Sequence, residues 1–265
     1  MKRQSRIDHL QDIIAEANSI TIKDLADRLD VSVMTIRRDM EVLEEAGLVR
    51  TYRGGVIVSE QNIRSPGSLG YSLTTAETAH VEEKRAIASL AASMIEDGDV
   101  VFFDAGSTVE LILDYVNPSI EMTAICYSLN IMNLIAGWSN VRIIFSGGEY
   151  HPESQNFESP EGLELLRRNR SSKAFISANG IRVDLGVTSS GQFEIPIKRV
   201  AIENSAHSYL VADSSKCGLV RTAHFADVQE FTAIITDWHV DDETRETLTE
   251  SGATLMVAPE TQRPA

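Results

Sequence analysis

Apolar residues recur at helical spacing from the start of the chain to Glu45. This pattern predicts three helices: residues 4–17, Ile22–Leu29, and a third that begins after Ser32 and ends before Gly47. Thr21 and Ser32 have the hydroxyl that an N-cap position needs, and a glycine suits the C′ position. The apolar stripe of the first helix consists of Ile7, Leu10, Ile13 and Ile14. The segment therefore reads as a small helical unit.

The third helix has two chemically different faces. Ile36, Met40 and Leu43 share one face, whereas Met34, Arg37, Arg38 and Glu41 lie on the opposite one. Residues 48–52 and 56–58, on either side of Gly54 and Gly55, then predict two short strands, the wing of a winged helix-turn-helix. That motif lays its second helix in the major groove of DNA.

Two adjacent arginines are also typical of a solvated helix face. The N-cap, the preceding short helix, the wing and the local basic residues together favour DNA binding. Either arginine can contact guanine or hold phosphate, and the choice stays open. Asp39 is expected to pair with Arg28 or Arg53 as a structural brace. The predicted DNA-binding residues are Ser32, Met34, Thr35, Arg37, Arg38 and Arg53.

The pattern changes after the wing. Residues 59–75 contain Pro66, Gly67 and Gly70 among serines and threonines and predict a linker. A long helix is expected over residues 76–97, followed by short apolar strands that alternate with helical segments. This alternation predicts a Rossmann-like α/β domain with a largely parallel sheet. The expected domains are a DNA-binding domain over residues 1–58 and a sensor domain over residues 76–265. The predicted strands are residues 100–104, 122–127, 141–145, 174–178, 209–212 and 232–236.

The net charge of −15 argues against nucleic-acid binding until its distribution is considered. Residues 1–58 contain nine Lys and Arg against ten Asp and Glu, and the remainder contains 15 against 29. The acid therefore belongs to the larger domain. Exposed charges more than about 8 Å away are largely screened, so the local balance governs contact with phosphates.

Other compositional features narrow the class of protein. No apolar run approaches the roughly 20 residues that span a bilayer, so we expect a cytoplasmic protein without a membrane partner. Cys126 and Cys217 are then expected to be free thiols. The six histidines show no metal-ligand spacing, so neither zinc nor another cofactor is predicted.

Ligands of parallel α/β sheets bind at the carboxyl ends of the strands. Asp104 and the turn Gly106-Ser107-Thr108 follow one predicted strand, and Ser146-Gly147-Gly148 follow another. Asp213 and Lys216 follow a third. Each feature has a plain structural explanation as a helix cap, a sharp turn or a surface lysine. Their convergence favours a phosphorylated small molecule. A nucleotide is disfavoured because neither a Gly-x-Gly-x-x-Gly motif nor a Walker lysine follows.

The sequence from Val31 to Met40 and from Leu43 to Gly55 resembles the N-terminal domain of the DeoR family of bacterial transcriptional regulators. The resemblance continues to about residue 240 through the three turns above. It implies a winged helix-turn-helix joined to a sugar-phosphate sensor. It also implies a repressor of a catabolic operon that leaves DNA when its effector binds. We expect a dimer or larger oligomer on a palindromic operator, since one such module buries little surface.

The second domain also resembles ribose-5-phosphate isomerase, through Gly106-Ser-Thr and the run from Ala212 to Lys216. In the isomerase, a glutamate of an Arg-Glu-Lys run is the general base. Counting back by the same spacing reaches Lys198, so the resemblance implies a retained binding site without its catalytic base. Glu194 lies nearby and could substitute for that base. An active isomerase-like enzyme with an accessory DNA-binding module is therefore the alternative.

Further matches narrow the effector. The run from Cys126 to Asn130, which includes Ser128, departs from the Thr-Asn-Ser turn common in the family and resembles a deoxyribose-responsive subgroup. That resemblance implies deoxyribose-5-phosphate as effector, with a related sugar phosphate as alternative. Subgroup packing residues would give the same pattern. The predicted effector-binding residues are Asp104, Gly106, Ser107, Thr108, Ser128, Gly147, Gly148, Lys198, Asp213 and Lys216.

Overall fold

The computed structural model describes residues 19–29, 31–45, 49–52, 55–58 and 79–260, together with residues 6, 7, 10, 13 and 14. These residues fall into two compact units, one within residues 1–70 and 219–222 and the other within residues 71–218 and 223–265. We describe each unit by itself. The predicted linker over residues 59–75, Gly47 and most of the predicted first helix lie outside the described residues, and the proposed domain boundaries stay predictions.

The N-terminal unit contains two helices, α1 (Ile22–Leu29) and α2 (Val33–Glu45). Its sheet has the strand order β1-β3-β2, with β1 at Ser19–Thr21, β2 at Val49–Tyr52 and β3 at Gly55–Val58. The bounds of α1 and the two wing strands agree with the sequence pattern, whereas β1 was not predicted. Residues 6, 7, 10, 13 and 14 are helical, as expected for the first helix.

Both predicted N-caps of this unit are present. Thr21 Oγ1 accepts a hydrogen bond from Asp24 N at 3.0 Å, and Ser32 Oγ accepts one from Thr35 N at 3.2 Å. Each hydroxyl thus satisfies an amide that the first helical turn leaves unpaired. The predicted inward face of α2 is confirmed, because Ile36, Met40 and Leu43 are at most 1% exposed. The core of the described part of the unit also includes Leu10, Ile14, Leu25 and Val56.

The second unit is built on a seven-stranded sheet with the order β15-β14-β12-β9-β4-β5-β6. All of its strand pairings are parallel. From β4 the chain proceeds outward to β5 and β6, and it then returns to β9 and proceeds the other way. The strand order therefore reverses between β4 and β9, which is where open α/β sheets bind ligands. The strands are β4 (Val100–Phe103), β5 (Met122–Cys126), β6 (Val141–Phe145), β9 (Ser171–Ser177), β12 (Ser205–Val211), β14 (Ala233–Thr236) and β15 (Leu255–Val257).

Helices cover both faces of this sheet. Successive residues of β4 point to opposite sides: Val101 and Phe103 belong to one apolar cluster and Phe102 to the other. A strand buried on both faces needs a continuous apolar run, and Val100–Phe103 provides one. The helices are α3 (Val81–Ala92), α4 (Ser107–Ile112), α5 (Leu129–Ile135), α6 (Pro160–Arg168), α7 (Ile195–Asn204) and α8 (Asp242–Glu250).

The structure corrects several details of the sequence interpretation. All six predicted strands exist, although β9 and β12 begin three and four residues earlier than expected. The helix predicted over residues 76–97 is shorter, because His80 has a left-handed conformation (φ 52°) immediately before Val81 and the helix ends at Ala92. Two additions were not predicted: a hairpin of β7 (Glu149–His151) and β8 (Asn156–Glu158), and a sheet of β10 (Gly180–Arg182), β11 (Gly186–Ser189) and β13 (Ala223–Ala226).

Three further observations concern the described residues alone. None of their helices combines the length and apolar character needed to cross a membrane. No group of three or more His, Cys, Asp or Glu among them is arranged to hold a metal ion. Cys126 and Cys217 are free, as their number and the expected compartment predicted.

Candidate functional site

The outer face of α2 carries most of the predicted DNA-binding residues. Arg37 and Arg38 are exposed, and Met34 has 59% of its surface open to solvent. Ser32 and Thr35 join their hydroxyls at 2.9 Å at the start of the helix. The structure thus places five of the six predicted residues on one exposed helix end and face. Arg53, the sixth, lies outside the described residues.

Asp39 faces inward, beside these arginines. Its carboxylate is 1% exposed and accepts hydrogen bonds from Arg6 Nε at 2.6 Å and from an Arg6 terminal nitrogen at 3.4 Å. The hydrogen bond raises the pKa of Arg6. The predicted bracing role is therefore present, but the partner found is Arg6 instead of Arg28, and Arg53 is outside the described residues. Arg6 ties the first helix to the middle of α2.

In the sensor unit, Asp104 occupies the point where the strand order reverses. It follows β4 directly and is fully buried. Its Oδ1 accepts a hydrogen bond from Tyr127 Oη at 2.6 Å, after β5. Its Oδ2 accepts from Ser177 N at 2.7 Å and Ser177 Oγ at 3.0 Å, at the end of β9. One carboxylate thus joins the carboxyl ends of three adjacent strands.

The cation that balances Asp104 is Lys198, in the second turn of α7. Lys198 Nζ lies 2.5 Å from Asp104 Oδ2 and 3.1 Å from Ser177 O, and its side chain is 2% exposed. The same Nζ is 5.3 Å from the centre of the Phe225 ring. An ion pair in this position is costly to desolvate and is retained only with good geometry and further hydrogen bonds. Both Asp104 oxygens are occupied, so Asp104 acts by holding Lys198 in place.

Glu194 adds a second buried carboxylate. Its Oε2 lies 3.9 Å from Lys198 Nζ and accepts a hydrogen bond from Ser189 Oγ. Its Oε1 accepts from Asn156 Nδ2 at 3.1 Å. Burial raises the pKa of Glu194, although Lys198 opposes the shift. The ammonium of Lys198 is therefore the cationic partner of two carboxylates, those of Asp104 and Glu194.

Asn156 was missed by sequence reasoning. It belongs to the β7–β8 hairpin, which folds over the end of β5: Phe157 N donates to Tyr127 O at 2.9 Å, and Ser128 forms a backbone bridge with Asn156. His151 of the hairpin stacks on Phe193 with ring centres 4.0 Å apart. No local signal marks Asn156, since its position depends on pairing between distant segments.

The turn after β4 has the geometry expected of a close backbone approach. Gly106 adopts φ 124°, which a residue with a side chain rarely reaches, and Ser107 and Thr108 begin α4. Both hydroxyl residues are largely buried. The predicted residues Asp104, Gly106, Ser107 and Thr108 therefore lie together at the reversal point.

The two glycines after β6 behave differently from each other. A side chain at Gly148 would collide with Glu158 O at 2.2 Å, so this glycine is needed for packing against β8. Gly147 has φ 57° with open space around it, and its carbonyl accepts from Ser159 Oγ at 3.4 Å. Both glycines follow β6, an edge strand two strands away from β4. They contact the hairpin and the start of α6.

Asp213 and Lys216 lie at the end of β12. Asp213 is 1% exposed and accepts a hydrogen bond from Ser215 N at 3.2 Å. Lys216 Nζ lies 3.7 Å from Asp213 Oδ2, and 28% of the Lys216 side chain is exposed. Lys216 thus has a nearby carboxylate, its Nζ donates to Ser215 Oγ at 3.3 Å, and its side chain stays partly exposed. Strand β9 separates this pair from Asp104, a distance of roughly 10 Å by strand spacing.

Six buried side-chain atoms have no hydrogen-bond partner among the described residues. Thr236 Oγ1 and Asp213 Oδ2 lie at the ends of β14 and β12, and the others lie after β5 or in the hairpin above it. Native proteins pair nearly all such atoms, because an unpaired one costs about 1–3 kcal/mol. All six lie at the carboxyl edge of the seven-stranded sheet or in the hairpin above it. The six atoms are Ser128 Oγ, Asn130 Oδ1, Ser154 Oγ, Asn156 Oδ1, Asp213 Oδ2 and Thr236 Oγ1.

Comparison with known protein families gives a match for each of the two units. Residues 6–62 match a DeoR-like helix-turn-helix domain, and residues 79–238 match the DeoR C-terminal sensor domain. The chain belongs to the DeoR family.

Its relatives in that family are named as regulators. The deoxyribose operon repressor of Escherichia coli K12 is 34% identical over 91% of this chain and 93% of its own length. The transcriptional regulator IolR of Bacillus subtilis is 31% identical over 90% and 92%. The lactose phosphotransferase system repressor of Staphylococcus aureus is 31% identical over 94% and 97%. This DeoR-family chain is accordingly a transcriptional regulator and not an enzyme, so the isomerase-like alternative is set aside.

Two solved structures show a partial similarity to this chain. Ribose 5-phosphate isomerase A from Methanocaldococcus jannaschii has a TM-score of 0.38 and 16% identity, covering 51% of this chain and 53% of its own. The eIF2B delta subunit from Chaetomium thermophilum has a TM-score of 0.44 and 13% identity, covering 61% and 57%.

Proposed function

We propose that this DeoR-family regulator represses a sugar or deoxynucleoside catabolic operon in the cytoplasm and leaves its operator when a phosphorylated sugar binds. Two of the relatives support this, since their names refer to a deoxyribose operon and to a lactose phosphotransferase system. A dimer or larger oligomer would bind a palindromic operator, because one winged helix buries too little surface for tight specific binding.

The proposed DNA-binding element is the exposed side of α2. The backbone amides near Ser32 and the side chain of Thr35 would contact phosphate, and Arg37 and Arg38 would reach base edges or phosphates in the major groove. Met34, with its exposed thioether side chain, suits apolar contact with a thymine methyl group. Arg53 of the wing would add a further cation.

The effector site is proposed at the carboxyl edge of the seven-stranded sheet. The observation that carries this proposal is the set of six unpaired buried polar atoms along that edge. Ser107, Thr108 and the backbone of Gly106 lie where the strand order reverses. Asp104, paired with Lys198, holds together the ends of the three strands β4, β5 and β9 at this point. Gly147 and Gly148 would act indirectly, by shaping the turn that precedes the hairpin.

The phosphate of the effector is assigned to Lys216. A partly exposed lysine beside a strand end suits a phosphate, and Asp213 would position its ammonium. Deoxyribose-5-phosphate is the first choice of effector, because the chain is 34% identical to a deoxyribose operon repressor. Effector binding would change the operator affinity of the residue 1–58 domain through the segment over residues 59–75, in the manner of two coupled sites.

A thermal-shift series tests this function. Deoxyribose-5-phosphate, ribose-5-phosphate and the unphosphorylated sugars would each be added to the full chain. We expect a phosphorylated pentose to raise Tm, since saturation at 100 times Kd stabilises by about 2.7 kcal/mol. Lys216→Ala would abolish the shift, and Lys23→Ala, which changes an exposed lysine of α1, would retain it. An equal shift in the Lys216→Ala protein would remove the phosphate assignment.

A further inference from the structure

Two short segments bring together most of the unpaired polar atoms. Ser128 forms a backbone bridge with Asn156, and Leu129 N donates to Gln155 O at 2.8 Å, so residues 128–130 run antiparallel to residues 154–156. Four of the six unpaired atoms belong to these segments: Ser128 Oγ, Asn130 Oδ1, Ser154 Oγ and Asn156 Oδ1. The parent residues are 8% exposed or less.

The orientation of both amides is fixed by carboxylates. Asn156 Nδ2 donates to Glu194 Oε1 at 3.1 Å, and Asn130 Nδ2 donates to Glu110 Oε2 at 2.9 Å. A carboxylate only accepts hydrogen bonds, so each amide must turn its NH₂ group toward it. The oxygens Asn156 Oδ1 and Asn130 Oδ1 are therefore the atoms left without partners, and both are acceptors.

Acceptor atoms select the chemistry of what binds beside them. A group that satisfies Asn156 Oδ1 and Asn130 Oδ1 must donate hydrogen, as a sugar hydroxyl does and a phosphate oxygen does not. Ser128 Oγ and Ser154 Oγ can donate or accept, which suits the second half of a hydroxyl contact. The nearby carboxylates of Glu194 and Glu110 further disfavour an anion.

We propose that Ser128 and Asn156 read the hydroxyl groups of the sugar, and that the effector lies with its sugar toward the β7–β8 hairpin and its phosphate toward Lys216. The proposal rests on the function given above and adds the specificity-determining residues and the direction of the ligand. Asn156 also contacts Glu194, and Glu194 lies next to Lys198, which pairs with Asp104. A sugar hydroxyl on Asn156 is therefore linked through these contacts to Asp104, at the middle of the sheet edge.

The hairpin covers these atoms. Ser128 and Asn156 are fully buried, so a sugar can enter only while the hairpin is open from the end of β5. Asn156 belongs to the hairpin, so it contacts the sugar and Glu194 together once the hairpin has closed again. Its strands have three residues each, and Gln155 between them has a left-handed φ of 54°. A hairpin this short can move as one unit.

The test uses Ser128→Ala in the full chain. Because Ser128 Oγ has no protein partner, the variant without ligand should keep its Tm or gain slightly. The Kd for deoxyribose-5-phosphate or ribose-5-phosphate, whichever binds the wild-type protein, should rise about five- to tenfold. The Kd for inorganic phosphate should not change, whereas Lys216→Ala should weaken the binding of both.

Ser208→Ala is the matched control. Ser208 is also buried, at 6% exposure, but its hydroxyl donates to Glu230 O at 3.4 Å. This variant should lose some Tm and keep the wild-type Kd. An unchanged sugar-phosphate Kd in Ser128→Ala would overturn the inference and leave the proposed function intact. No response of the wild-type protein to any of the sugar phosphates would overturn the proposed function, and this inference with it.

Discussion

Lys198 Nζ lies 2.5 Å from Asp104 Oδ2, and both side chains are closed to solvent although 94 positions separate them in the chain. The contact joins α7 to the ends of β4 and β9. Glu194 Oε2, 3.9 Å from the same Nζ, makes Lys198 the shared partner of two carboxylates. Lys198, at the position where the isomerase resemblance implied a lost catalytic base, is thus a buried cation in contact with two carboxylates.

Removing this cation should destabilise the sensor unit. Lys198→Met leaves Asp104 and Glu194 buried without a cation, and breaking a buried pair in this way costs about 3–5 kcal/mol. Urea unfolding followed by far-UV circular dichroism would measure the loss. Adding Asp104→Asn to Lys198→Met should restore part of it. Lys23→Met, at an exposed lysine of α1, should change stability little. An equal loss of stability in that variant would contradict the role given to Lys198.

The pH dependence of stability should reveal Glu194. Burial raises its pKa above the usual 4.5, so in the window above 4.5 the folded state binds more protons than the unfolded state. The contribution of Glu194 to the free energy of unfolding is therefore fully present below pH 4.5. It is lost as the pH rises through the pKa of Glu194 in the folded state. Lys198, Asp104 and Tyr127 are the ionisable groups that face it.

Glu194→Gln removes that titration. We expect the stability of the variant relative to wild type to increase from about pH 5 to about pH 8, as denaturant titrations at each pH would show. Glu161→Gln, at an exposed carboxylate in the first turn of α6, is the control and should leave the pH profile nearly unchanged. A difference between Glu194→Gln and wild type that stays constant across this range would contradict the buried-carboxylate account.

Two single substitutions on α2 distinguish base reading from phosphate contact. Replacing a base-reading arginine by alanine should reduce the free energy of operator binding by about 1–3 kcal/mol and relax specificity at one base pair. Replacing a phosphate-contacting arginine should weaken binding to all DNA sequences alike and lower the slope of log affinity against log salt concentration by about 1. Fluorescence anisotropy with Arg37→Ala and Arg38→Ala at several salt concentrations would assign each role.

Arg85→Ala provides the reference for these measurements. Arg85 is an exposed arginine of α3 in the sensor unit, paired with Glu82 at 3.5 Å. Its replacement should leave operator affinity and the salt slope unchanged. If Arg37→Ala and Arg38→Ala also left both unchanged, the exposed side of α2 would not be the DNA-binding surface.

The sequence was most informative where the determinants are local. The caps Thr21 and Ser32, the inward face of α2 and the six predicted strands follow from residues within a few positions of one another. The extent of α3 did not follow, because nothing in the local pattern marks the left-handed conformation of His80.

Long-range pairing accounts for what the sequence did not provide. Asp39 and Arg6 are 33 positions apart, and Asn156 and Glu194 are 38 apart. The strands of the hairpin have only three residues each, too few for an alternating pattern to stand out. Consequently the sequence drew attention to Asp104, Lys198 and Lys216, which follow strands or match a motif, but not to Asn156, whose contact with Glu194 depends on distant pairing.

Effector-controlled release from DNA tests the central claim most directly. An operator would first be selected from random duplexes with the full chain, and its Kd would then be measured by anisotropy with and without deoxyribose-5-phosphate. The account predicts that the effector raises the wild-type Kd by about 5- to 150-fold, and that Lys216→Ala binds the operator normally but does not respond. A Lys216→Ala protein that responds like wild type, or a wild-type Kd that no sugar phosphate changes, would contradict it.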